Sequence, residues 1–178
     1  MKKFSLTFVF FISISILAFS QYEREKISLR YVKGYNGFEI GAGVTKFSKY
    51  YSMSSQHFFK DKYFLRPSVS YEFGRIELTD YRELSLIVGI NRNIINYQDN
   101  LFINIGIGPA LQNQTTNNEL LDLKDEFFLL GVAGNINLEL YLTKHIALNG
   151  NLTEIYSFND KFGKFRYLLG AGLKISLN

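Results

Sequence analysis

Cysteine and tryptophan are both absent from the 178 residues, and proline and histidine occur only twice each. Without cysteine there are no disulfide staples, no thiolate chemistry and no acyl anchor on a lipobox cysteine. His57 and His145 stand alone, with no carboxylates at ligand spacing, so they do not read as a metal site and no cofactor is expected. Charge of one sign is scarce as well. The formal net charge is +4, and it falls to +2 (4 − 2) once Lys2 and Lys3 are set aside with the leader described below. That is too little to argue for direct nucleic-acid binding. No apolar run is long enough to cross a membrane as a helix. The longest, roughly Phe4 to Phe19, is broken by Ser13 and Ser15 and falls short of the ~18 residues a spanning helix needs.

That first run has another use. Lys2 and Lys3 precede it, and Ala18-Phe19-Ser20 closes it with small residues at the −3 and −1 positions. This is the layout of a signal peptide over residues 1–20, cut after Ser20, and it implies export. The rest is long enough for one domain and too short for two with sizeable cores.

What the chain has in quantity is alternation. In Lys164–Asn178, the side chains of Phe165, Tyr167, Leu169, Ala171, Leu173, Ile175 and Leu177 share one face. Arg166, Leu168, Gly170, Gly172, Lys174 and Ser176 share the other. Strict period-2 alternation makes this a strand. It exceeds the ~5–6 residues of an ordinary strand and suits the ~9–11 that span a bilayer at a tilt. Arg166 and Lys174 cannot face lipid, so the apolar set must. Nearly half of all residues are apolar while mean hydropathy is close to zero. A membrane barrel has this profile because only alternate strand residues meet lipid.

The same pattern recurs along the chain. Residues 21–36 are charged and end in a Gly/Asn turn signal; they read as a periplasmic lead-in to a barrel over 37–178, and within the lead-in the alternation of Ile27, Leu29 and Tyr31 allows a short extra strand. Strands are expected at Gly37–Lys46, Tyr50–Phe59, Tyr63–Phe73, Glu83–Asn91, Leu101–Gln112, Phe127–Leu142, His145–Tyr156 and Lys164–Asn178. The second is Ser-rich and alternates poorly. Pro67 asks for a bulge or a non-bonded position in the third. Arg92–Asn100 reads as a polar turn, Lys60-Asp61 and Thr143-Lys144 as tight turns, and Asn113–Glu126 as the longest loop. The phase of the seventh strand is lost near Glu154-Ile155, which suggests a bulge there. The expected fold is all-β: an eight-stranded antiparallel up-and-down transmembrane β-barrel, closed by pairing of the last strand with the first, with no edge left to lipid. Aromatics such as Tyr63, Tyr71, Phe73, Phe102, Phe127, Tyr141, Tyr156, Phe165 and Tyr167 lie toward strand ends, as interfacial girdles do.

The inward face then carries Glu39, Glu72, Glu83 and Glu139 against Arg66, Arg166 and Lys174. Charges inside so narrow a barrel must pair, so they form a structural lumenal network, with Glu39 and Glu139 as candidate partners for Arg166 and Lys174. A gated ion path along the charges is the less favoured reading. His57 beside Ser54, Ser55 and Asp61 is the one neighbourhood that could suggest Ser-His-Asp chemistry, and solvated strand residues explain it better. Gly106-Ile107-Gly108 and Gly170-Ala171-Gly172 lie inside strands and lead into no helix, so they are small inward residues and not a phosphate loop. No catalytic, cofactor or metal residue is expected.

Three stretches carry a family likeness. They are Gly37-Phe38-Glu39-Ile40-Gly41, Glu139-Leu140-Tyr141-Leu142-Thr143 before a short turn and an apolar strand, and Gly170-Ala171-Gly172-Leu173-Lys174 with a closing Leu177-Asn178. In these the chain resembles the TraO family of conjugative-transposon transfer proteins of Bacteroides-type bacteria. The resemblance implies an outer-membrane component of the apparatus that moves DNA between cells, in contact with outer-membrane lipid and with other transfer-apparatus or envelope proteins. The alternative is a general OmpA-like or porin-like small barrel for envelope integrity, adhesion or partner docking. A lipid-modifying barrel enzyme and a soluble lipocalin-like carrier are remoter alternatives.

Overall fold

A computed structural model describes residues 31–76, 79–118, 123–158 and 164–177. The expected signal peptide over residues 1–20, most of the expected lead-in and the final residue lie outside that set. Eight antiparallel strands close into one barrel in sequence order: β1 Asn36–Val44, β2 Ser48–Lys60, β3 Tyr63–Ile76, β4 Thr79–Tyr97, β5 Leu101–Asn118, β6 Leu123–Tyr141, β7 Ile146–Ser157 and β8 Phe165–Ser176. β8 seals the sheet by pairing with β1, from Gly37 opposite Ser176 to Val44 opposite Leu169.

The register also fixes the stagger. From Asn36 the pairing passes through His57, Leu65, Ile90, Ile107, Gly134 and Glu154 to Tyr167. Tyr167 lies two residues before Leu169, the partner of Val44, so it points to position 46 on β1. One circuit therefore returns ten residues (46 − 36) along the strand where it began. A stagger of this kind tilts the strands ~35–45° to the axis and leaves an interior that side chains can fill.

Alternation assigns the two faces. Ile40, Met53, Leu65, Ile90, Ile107, Ile136, Leu148 and Leu173 point outward and are exposed, as a lipid-facing band requires. Serine-rich β2 is a genuine strand: Ser48, Tyr50, Ser52, Ser54, Gln56 and Phe58 face in, while Tyr51, Met53, His57 and Phe59 face out. Pro67 needs no bulge. Pairing with β2 is interrupted opposite Arg66 and Pro67 and resumes in the same register, while the β4 side stays paired. Pro109 does likewise between β4 and β5. The irregularities that do occur sit beside turns, at Phe58/Lys60 and Asn93/Ile95.

Three expectations change. Arg92–Asn100 is mostly strand, with only residues 98–100 turning. Asparagine favours turns in sequence, but here Asn91 and Asn93 are lumen-facing and buried. Asn113–Glu126 is not a long loop, because β5 and β6 stay paired out to Asn118 opposite Leu123. Beyond the apolar band both faces of a hairpin meet water, so hydrophobic alternation fades while backbone pairing continues. The bulge expected at Glu154-Ile155 is absent. β7 keeps unbroken register with both neighbours, Ile155 points into the barrel, and Glu154 points out.

Candidate functional site

The interior is stacked in layers, each set by which residues the register brings to one height. At the end bearing the termini lies an aromatic floor. Phe58, Phe64 and Phe102 are fully buried, with Tyr141 and Ala147 beside them. Phe102 and Tyr141, expected on the lipid face, thus belong to the lumen, because their parity along β5 and β6 matches that of Asn104 and Glu139. Tyr31 and Tyr35 of the lead-in complete the floor. Tyr31 stacks on Phe102 at 4.3 Å between centroids and meets Phe58 edge-on at 4.9 Å. The backbone pins this segment: Gly34 N donates to Phe58 O at 2.7 Å, and Lys62 N to Tyr31 O at 2.9 Å. The alternation of Ile27, Leu29 and Tyr31 did not mark those tyrosines as a plug; the available signal was three tyrosines, Tyr22, Tyr31 and Tyr35, in a charge-rich segment.

Immediately above lies the first charged layer. Lys174 Nζ is 2.6 Å from Glu139 Oε2, with both side chains fully buried. Three tyrosine rings, Tyr31, Tyr35 and Tyr141, surround the ammonium at 5.2–5.6 Å, in cation–π range. Glu139 also accepts from Gln56 at 2.9 Å, Asn104 at 3.2 Å and the Tyr31 hydroxyl. Burial first, then the Glu139 charge, hold that hydroxyl well above its ordinary pKa of 10.0, so it remains a donor. Close by, Arg66 Nη2 donates to Glu39 Oε2 at 2.9 Å, and Ser54 donates to the same oxygen at 3.2 Å.

Next comes a hydroxyl-rich layer around a cavity of about 30 Å³, lined by Ser52, Ser54, Ser68, Ser70, Thr153 and Arg66 among others. That is room for about one or two waters. An apolar waist follows: Tyr50, Ile87, Ala110, Ala133, Ile155 and Leu168, all buried. Tyr50 lies across the paired Gly43 and Gly170. A Cβ on Gly43 would meet its ring at 2.6 Å, and one on Gly170 would collide with its hydroxyl. The second charged layer lies toward the loops. Arg166 pairs directly with Glu83 and stands 3.8 Å from Glu72. Glu83 accepts from Tyr81 at 2.6 Å and from Ser85 and Gln112 at 2.7 Å. Thr45 and Ser48 donate to Glu72.

All seven charged residues singled out in the sequence face the lumen, but in three separate groups. The pairing of Lys174 with Glu139 is as expected. Arg166 is not paired with Glu39: the stagger lifts it to the height of Glu83 and Glu72, leaving Glu39 to Arg66. The His57 neighbourhood does not assemble. His57 faces outward and bonds Asn36 Oδ1 at 2.8 Å, Ser54 faces inward to Glu39, and Asp61 accepts from Lys33 N at 3.0 Å. Among the described residues, no three His, Asp or Glu side chains converge on one metal position.

Fold and interior together define a small transmembrane β-barrel of the outer-membrane kind, with a lumen filled by side chains. Solved structures agree on the fold. The N-terminal barrel domain of OprF from Pseudomonas aeruginosa superposes with a TM-score of 0.64 at 17% identity, covering 82% of this chain and 98% of that one. Neisserial surface protein A gives 0.64 at 10% identity, covering 79% and 95%. Ail, the attachment invasion locus protein of Yersinia pestis, gives 0.56 at 12% identity, covering 81% and 100%. No curated protein sequence matches the chain. The family model of the conjugative transposon protein TraO matches residues 26–177, and the chain belongs to that family.

Proposed function

We propose that this protein is the outer-membrane β-barrel of a conjugative DNA-transfer apparatus, exported by its signal peptide and acting as a structural and docking element without catalysis. Family membership over nearly the whole mature chain supports the process. The filled lumen supports the manner. Among the described residues, Phe58, Phe64 and Phe102, fully buried at one end, and the Arg166–Glu83 layer toward the other fill the space that a polymer would need. DNA would pass elsewhere, and the barrel would offer its rim and outer wall to partners. With the termini in the periplasm, the lead-in and the turns at 61–62, 98–100 and 142–145 face inward. The β3–β4 and β5–β6 hairpins then project outward.

The test is transfer frequency after deletion of the gene, with complementation. Loss of transfer by at least tenfold, restored by the wild-type chain, is the expected result, together with recovery of the protein in the outer-membrane fraction. Undiminished transfer with an intact barrel in the membrane would overturn the reading in favour of a general envelope role.

A further inference from the structure

The outer wall carries a carboxylate that the barrel itself does not explain. Glu154 sits on the exposed face of β7, between Leu152 and Tyr156. Its register neighbours are Gly134 on β6 and Tyr167 on β8. The apolar wall continues past it toward the loops, through Val132, Leu130 and Phe128 on β6 and Phe165 on β8. Glu154 therefore lies on the lipid-facing wall, among the aromatics Tyr156 and Tyr167 at its loop-side edge. It has no hydrogen bond or ion pair among the described residues. Gly134 leaves a notch beside it, for a Cβ placed there would touch nothing within 4 Å. Ionisable groups on a lipid face cost stability and mark contacts or paths where they occur.

One outward cation of the same chain matches it. Lys49, on β2, is exposed and likewise without a partner among the described residues. Across the closing seam, pairing runs Lys49–Val44–Leu169–Leu152, and Glu154 lies two residues beyond Leu152 toward the loops. A stagger of ten residues shared by eight strands lowers that ladder by roughly four residues over three steps. Glu154 recovers two of them, so Lys49 rides only about two residues nearer the rim, a gap its flexible stem spans.

We infer that the barrel self-associates laterally in the membrane through Glu154 of one copy and Lys49 of the next. A single barrel cannot join them, because β1 and β8 stand between their strands. The contact is head-to-tail, since the two surfaces differ, and such contacts build rings when the rotation closes and chains when it does not. The notch at Gly134 admits the neighbour's wall. This inference needs only the membrane barrel and not its role in transfer.

The absence of cysteine makes the test direct. Glu154→Cys and Lys49→Cys variants of the full chain, carrying different tags, are expressed together in cells and treated with a short bis-maleimide. The expected product is a mixed dimer bearing both tags, with little dimer from either variant alone. The charge variants give a second reading by size in mild detergent. Glu154→Lys should shift the protein to monomer, and combining it with Lys49→Glu should restore the oligomer, with heat-dependent gel mobility confirming a folded barrel in each. A dimer from Glu154→Cys alone would overturn the head-to-tail contact. Crosslinking only to a different protein, or a monomeric folded wild type, would overturn self-association.

Discussion

The Lys174–Glu139 pair shows how a residue can be legible in type and obscure in surroundings. Alternation put both charges on the lumen face, and burial obliges them to pair. What alternation could not show is that their supports are unequal. Lys174 has one carboxylate and three tyrosine rings, whereas Glu139 also holds Tyr31, Gln56 and Asn104 as donors. Removing the carboxylate strands a buried ammonium, so Glu139→Ala should cost ~3–5 kcal/mol, the range for breaking a buried pair from one side. Lys174→Met should cost less, because Glu139 keeps its three neutral donors. Urea midpoints of the refolded barrel in detergent, read by gel mobility, would decide the order. Equal losses would mean that the donors contribute little.

Among the elements, β7 and β8 carry the sharpest lesson. Glu154-Ile155 broke the polar-in, apolar-out rule, and a bulge was the local explanation. The structure instead keeps the register and inverts the polarity, because Ile155 completes the apolar waist with Leu168 and Ile87. A layer of this kind is assembled from several strands, so no single strand announces it. Gly170 belongs to the same level. Its Cβ would strike the Tyr50 hydroxyl and come within 2.9 Å of the Ala42 carbonyl. Gly170→Ala should therefore destabilise by ~1–3 kcal/mol through overpacking. Adding Tyr50→Ala should recover part of that loss, and only part, since the carbonyl contact stays. A double-mutant cycle on unfolding midpoints measures the coupling; strict additivity would show that Tyr50 does not fill that space.

For the whole molecule, the decisive property is a lumen closed at two levels, by the aromatic floor and by the apolar waist. Purified barrel in a planar bilayer should give no steady conductance, and a stable open level in the wild type would refute the plugged reading. Strand number, the phase of every strand but the end of β7, closure of β8 on β1 and the charged character of the interior were legible in the sequence. Each follows from the period-2 rule and from the need to pair every backbone group in lipid. Among the features that were not legible are the partner of Arg166, the tyrosine plug from the lead-in, and the pairing of the polar hairpin ends. These depend on stagger, which sets relative heights across strands far apart in the chain, and on a segment outside the repeat. The sequence alone determined which side of the wall most residues take, because alternation is a local property of an extended chain; Phe102, Tyr141 and Ile155 are the exceptions that only the register assigned to the lumen. Only the tertiary structure decided which residues meet across the lumen, because that follows from the ten-residue stagger accumulated around the closed sheet.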